Sequence, residues 1–134
     1  MMESNLRQRV ETFIEALHRV ERDGGAAVDA LVQLFADDAV VVNAMTRRGQ
    51  DDRRGPEAIH SFWQQYAATL GRGQSEFAHV TVGDGAAGLF WTTHDDRGAR
   101  YDGATLLEFD EAGRIRLLRG YYDPEEFRRQ REAA

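Results

Sequence analysis

The 134-residue sequence has no cysteine, so disulfides, thiolate metal sites and cysteine nucleophiles are all excluded. No apolar run approaches the roughly 20 residues a helix needs to span a bilayer, so no membrane association is expected. The first ten residues, MMESNLRQRV, hold no apolar stretch of the kind a secretory leader carries, and a cytoplasmic location is the expectation. Basic charge is short as well: the net charge is −6 and the pI is near 5.2. Nucleic acid, whose phosphates require a basic face, is therefore not an expected partner. Internal repeats and linker-like stretches are missing too, which leaves one domain over residues 1–134. A chain of this length buries about 68% of its unfolded surface. Its hydrophobic share of 42% and charged share of 30% are ordinary for a globular protein.

Periodicity then supplies the elements. Leu6, Val10, Phe13, Ile14, Leu17 and Val20 recur at helical spacing and make one apolar stripe, which the RDGG stretch at 22–25 ends. Val28, Leu31, Val32, Leu34 and Phe35 predict a short second helix that stops at Asp37-Asp38. A valine-rich strand follows, with Asn43 placed inside it, and the polar stretch 46–55 reads as a hairpin or surface loop. Gly55-Pro56-Glu57 opens a third helix whose apolar face is Ile59, Phe62, Trp63, Tyr66 and Leu70. Beyond residue 76 the period switches to two. FAHVTV, LFWTTH, YDGATLLEF and RIRLLRGYY are four strands joined by Gly/Asp-rich connections of the antiparallel kind. Asp123-Pro124-Glu125-Glu126 reads as a capping box opening a C-terminal helix. The fold class expected is α+β, with helices covering one face of a curved, mostly antiparallel sheet.

Several catalytic signatures fail on their physics. GDGAAG at 83–88 matches the dinucleotide spacing, but a strand follows it where a helix N-terminus must receive the pyrophosphate. The four histidines have no helical i, i+4 pair, and His94-Asp95-Asp96 reads as a solvated turn, so no metal and no cofactor are expected. No G-x-S-x-G elbow supports a serine hydrolase.

Three segments, LVQLFADDAVVVN, RGPEAIHSFWQQY and LLEFDEAGRIRLLRGYYD, stand in an order and spacing that resembles the nuclear transport factor 2 superfamily. With their connections they span roughly residues 28 to 123. That superfamily includes SnoaL-like polyketide cyclases, ketosteroid isomerases and limonene epoxide hydrolases. The resemblance implies a cone: a curved sheet wrapped around a pocket closed by the three N-terminal helices. It also places Asn43 where the isomerases carry their aspartate base, and Thr105 where a second acid lies in the isomerases and cyclases. The isomerases' first-helix tyrosine falls near His18 or Arg19. Limonene epoxide hydrolases have an asparagine at the position of Asn43, holding the attacking water, but their tyrosine is Val41 here and one of their acids is Gly120. This chain thus departs from each pattern at the carboxylates.

His18 is the general-base candidate, with Asn43 and Thr105 positioning a ligand oxygen; the alternatives are a satisfied core-edge histidine and an asparagine that bonds only neighbouring backbone. With Thr105 inward, strand alternation turns Tyr101, Gly103 and Leu107 inward too, and on neighbouring strands Leu118, Gly120, Tyr122, Phe90, Thr92 and His94. Met45 and the third-helix residues Phe62, Trp63 and Tyr66 complete the expected lining. Trp91, Asp102, Glu108, Arg116 and Arg119 are expected outside, exposed or in a dimer contact. The expected ligand is small and largely apolar, with a carbonyl or hydroxyl, and the expected assembly is a homodimer. The function classes in play are proton-transfer chemistry of the isomerase, cyclase or dehydratase kind, a non-catalytic ligand-binding or partner-interaction domain, and an epoxide hydrolase-like enzyme.

Overall fold

A computed structural model describes residues 3–43, 52–70 and 73–133. Met45 and most of the 46–55 stretch lie outside the described residues. Helix α1, Glu3–Asp23, ends where Gly24 takes a φ of +77°, a conformation that suits glycine because no Cβ resists it. A 3₁₀ turn at Gly24–Ala27 leads into α2, Val28–Val32, which buries Val28 and Leu31. Strand β1 runs over Phe35–Val42 and β2 over Arg53–Arg54; α3 covers Pro56–Leu70. Strands β3 (Gln74–Gly83), β4 (Ala86–His94), β5 (Arg100–Phe109) and β6 (Ile115–Tyr121) follow, then α4 (Pro124–Ala133).

The six strands form one open sheet in the order β2-β1-β6-β5-β4-β3. Every neighbouring pair is antiparallel except β1 with β6. That parallel join closes the four-strand meander onto the earlier part of the chain. Asp84 and Gly85 both take positive φ, 56° and 74°, as a two-residue hairpin turn requires, and Gly83 pairs with Ala86 around them. Asp123 caps α4 by accepting from the Glu125 backbone N–H at 2.9 Å, while Glu126 bonds Arg129 and Gln130 along the helix.

Both boundaries of β1 differ from the sequence expectation, and β3 and β4 begin earlier than FAHVTV and LFWTTH suggest. Phe35 belongs to the strand: α2 stops at Val32, and Phe35 pairs with Ile115 of β6. A five-residue helix gains little from its own hydrogen bonds, so the sheet edge captures the next residue. Asn43 lies just past β1, at the strand's open end.

The α1 stripe packs on β3 and β4, and α3 packs on α2, β1 and β2. Phe13, Val20, Leu31, Ile59, Leu89 and Leu107 are almost fully buried between these layers. The fold is α+β, a curved sheet with helices on its concave face. Among the described residues no helix is long and apolar enough to cross a membrane.

Candidate functional site

Between the helices and the sheet lies a cavity of about 420 Å³ with largely apolar walls. Phe13 and Leu17 of α1, one turn apart, form part of its wall. Phe62, Trp63 and Tyr66 of α3 form another part, with Trp63 at the centre of an aromatic cluster: its ring lies 5.0 Å from Phe62, 5.2 Å from Tyr66 and 6.3 Å from Phe35. The sheet contributes Ser75, Phe77, Trp91, Thr93, Tyr101, Thr105, Leu118 and Gly120; Asn43, Tyr122 and Phe127 complete one end.

The β4 residues correct the expected alternation. Phe90 is 47% exposed, and Thr92 bonds Asp102 on the outer face; neither lines the cavity. Trp91 and Thr93 line it instead. The reason is the pairing register: Leu89 lies opposite Thr105 and Trp91 opposite Gly103, and directly opposed residues of antiparallel strands share a face. Gly103 makes room for the indole, since a Cβ there would sit 2.6 Å from Trp91 ring carbons. LFWTTH carries an aromatic and a threonine on both of its faces, so hydropathy alone did not choose between them.

His18 is likewise absent from the cavity wall. Its Nε2 lies 2.9 Å from the Ser75 carbonyl oxygen, to which the ring N–H donates, and its ring packs 5.9 Å from Phe77. It pins α1 to β3, as a satisfied histidine at the edge of the core does. Asn43, Thr105, Tyr101, Leu118 and Tyr122 all face the cavity together with Phe62, Trp63 and Tyr66.

Arg53, Gln65 and Thr69 also line the cavity, and two further polar stations interrupt its apolar lining. At the first, the Tyr122 hydroxyl donates to Asn43 Oδ1 at 2.5 Å, and Trp91 Nε1–H donates to Thr105 Oγ1 at 2.9 Å. Burial pushes the Tyr122 phenol up to about 12. At the second, a carboxylate that the sequence reading passed over takes the central place. Glu21 is only 3% exposed. It accepts from the Tyr66 hydroxyl at 2.6 Å, the Ser75 backbone N–H at 3.0 Å and the Ser75 hydroxyl at 2.5 Å. The Ser75 hydroxyl in turn lies 2.7 Å from that of Thr93. Burial pushes the Tyr66 phenol well above its ordinary value, and the charge of Glu21 acts in the same direction. A signal did exist: Glu21 follows Leu17 by four residues, which continues the buried stripe of α1 by one more turn.

Asp95 also departs from expectation. It is 6% exposed rather than solvated, and it accepts from the Arg97 and Ala99 backbone N–H groups and from the Tyr101 hydroxyl, each at 2.9 Å. Burial pushes its carboxyl upward, but these hydrogen bonds outweigh burial and hold it below the ordinary value. Among the described residues no three acidic or histidine side chains lie close enough to hold a metal ion.

An open sheet whose concave face carries three helices and an apolar cavity defines the cone-shaped α+β fold of the nuclear transport factor 2-like proteins. Within that class the chain belongs to the SnoaL-like domain family, which it matches over residues 10–118. It is similar in fold to an NTF2-like protein of unknown function from Cytophaga hutchinsonii ATCC 33406, at 17% identity and a TM-score of 0.69 over 91% of this chain and 93% of that one. A protein of unknown function with a cystatin-like fold from Methylobium petroleophilum PM1 superposes with a TM-score of 0.73 at 21% identity, over 91% of this chain and 78% of that one. A de novo designed protein with a curved β-sheet reaches 0.74 at 17% identity, over 98% of this chain and 96% of that one. Such likenesses concern the fold alone. No curated protein sequence matches the chain.

Proposed function

We propose that the cavity binds a small, largely apolar molecule bearing a carbonyl or hydroxyl oxygen. One observation carries the reading: an apolar cavity of about 420 Å³ has unspent hydrogen-bond donors in its wall. Thr105 accepts from Trp91, and its own hydroxyl proton has no acceptor among the described residues. Trp63 Nε1–H is buried and has no partner there either. A buried donor left unpaired costs about 1–3 kcal/mol, and a ligand oxygen would relieve that cost. Asn43, its amide oxygen engaged by Tyr122, serves to position the ligand beside Thr105.

Gly120 provides the test. It lies opposite Thr105, lines the cavity, and a Cβ added to it meets nothing within 4 Å. Gly120→Leu should fold normally and fill the cavity. An uncharged apolar fluorophore such as N-phenyl-1-naphthylamine should bind the wild type, with energy transfer from Trp63 or Trp91, and should not bind the variant. Equal binding to both chains refutes the reading.

A second reading, proton transfer of the isomerase, cyclase or dehydratase kind, is favoured by the Glu21 carboxylate. It stands one hydroxyl away from the cavity through Ser75 or Tyr66, which is the reach a general base needs if that hydroxyl relays the proton. Assembly is read as a homodimer through the outer sheet face. There Phe90, Ala104 and Tyr121 form one cross-strand row, with Phe90 and Tyr121 47% and 51% exposed. Phe90→Arg should yield a monomer by sedimentation.

A further inference from the structure

The hydrogen bonds at the Glu21 end of the cavity all run in one direction. A carboxylate only accepts, and each hydroxyl has one proton to give. Tyr66 and Ser75 both give theirs to Glu21, at 2.6 and 2.5 Å. The Ser75 and Thr93 oxygens are 2.7 Å apart, and with the serine proton already committed the proton between them is threonine's. Three protons therefore run one way, toward Glu21. What Tyr66, Ser75 and Thr93 keep for the cavity they line is lone pairs. The Thr105 station is the opposite: it has a proton to give. From Thr93 to Leu89, the residue facing Thr105, is four residues of β4, or about 13 Å of strand.

We propose that the Glu21 end selects a hydrogen-bond donor. The ligand is then an apolar molecule that presents an O–H or N–H to Thr93, Ser75 or Tyr66, and any bare carbonyl or ether oxygen lies toward Thr105. This rests on the ligand-binding reading above and names the class of ligand for it. The selection follows from charge. Glu21 is buried, and no cation pairs with it among the described residues. The hydroxyls that solvate it are polarised by it, and a chain of hydrogen bonds ending on a charge strengthens the next donor to join. A carbonyl placed at the same point meets only the lone pairs of hydroxyl oxygens and no proton.

A matched set on one skeleton tests this: 2-decalol, 2-decalone and decalin, titrated calorimetrically into the full chain at pH 7. On the wild type the alcohol should bind about tenfold more tightly than the ketone, the difference one well-placed hydrogen bond makes. Glu21→Gln replaces an acceptor-only group by an amide with protons of its own, which frees a hydroxyl proton for the cavity. The preference should then shrink to about twofold or less. Thr93→Val leaves Glu21 and its three hydrogen bonds in place and should weaken the alcohol while sparing the ketone. A ketone that binds the wild type as tightly as the alcohol overturns the donor selection and leaves the cavity reading standing. So does an alcohol preference that survives both substitutions. If none of the three compounds binds, the selection and the cavity reading fall together.

Discussion

Two buried carboxylates in this molecule each accept a hydrogen bond from a tyrosine hydroxyl, and they do so by different means. Asp95 takes Tyr101, six residues away, together with the backbone N–H groups of Arg97 and Ala99. All of its partners lie within one β-turn and the strand that leaves it. Glu21 takes Tyr66 and Ser75, 45 and 54 residues away in the chain. Those partners come from two separate elements, α3 and β3. Asp95 therefore organises a turn that its own neighbours define, and Glu21 ties together a helix pair and a sheet edge. Both tyrosines face the cavity, but only the Glu21 cluster adds a serine and a threonine to the cavity wall. The local polar network shapes a turn, and the long-range one places polar groups in the cavity wall.

The comparison breaks first at Glu21. Glu21→Ala leaves the Ser75 N–H and two hydroxyls buried without their acceptor, and unfolding free energy in urea should fall by about 3 kcal/mol. Asp95→Ala should cost about half of that, roughly 1.5 kcal/mol, because its backbone partners lie in a turn that can reach water. Its damage should also be confined, with faster amide exchange at Arg97 and Ala99 and little change in α1 or α3. If both variants lose equal stability across the whole chain, the local and long-range distinction is wrong.

Asp95 carries a pH signature as well. Its folded carboxyl lies below the ordinary value of 3.8, so its contribution is complete above that value. The contribution is lost as pH falls from about 3.8 through the depressed folded value. The acid limb of the stability profile should be shallower in Asp95→Asn than in the wild type.

Tyr122→Phe sharpens the contrast from the other end of the cavity. Removing one hydroxyl from Asn43 should cost about 1 kcal/mol. Ultraviolet titration of the wild type should show one phenol ionising near 12, absent from the variant. Because that pKa is raised from 10.0, the alkaline loss of stability between 10.0 and about 12 should be smaller in Tyr122→Phe. The smallest effect is expected at Thr92, whose hydroxyl also meets a carboxylate, that of Asp102, but on the exposed outer face. Thr92→Val should leave the urea midpoint unchanged, since water replaces what the substitution removes.

Much of the fold was legible because its signals are local. The stripe Leu6, Val10, Phe13, Leu17 and Val20 needs only helical period, and all five are buried in α1. Asp84-Gly85 announces a hairpin through two positive φ values, and Asp123 announces α4 through its cap. The cavity was legible in part: Asn43, Thr105, Tyr101, Leu118 and Tyr122 face it as strand alternation and family resemblance place them. Two features of the cavity were not legible, each for one reason. On β4, Phe90-Thr92 and Trp91-Thr93 are equivalent in hydropathy, and only their pairing with Gly103 and Tyr101 chooses the inward pair. On α1, helical spacing puts Glu21 on the buried stripe, but only α3 and β3 supply the partners that satisfy it there.

Local signals in the chain suffice for most of its helices and strands, for the turns between them, and for the apolar side chains that line the space they enclose. Period, glycine conformation and capping act over a few residues, and so they can be read from a few residues. Which carboxylate is buried, which way its hydroxyl partners spend their protons, and which face of β4 meets the cavity follow from the assembled fold. Those depend on register and on contacts between residues some 50 positions apart, and a hydrogen bond has no direction until both of its ends are in place.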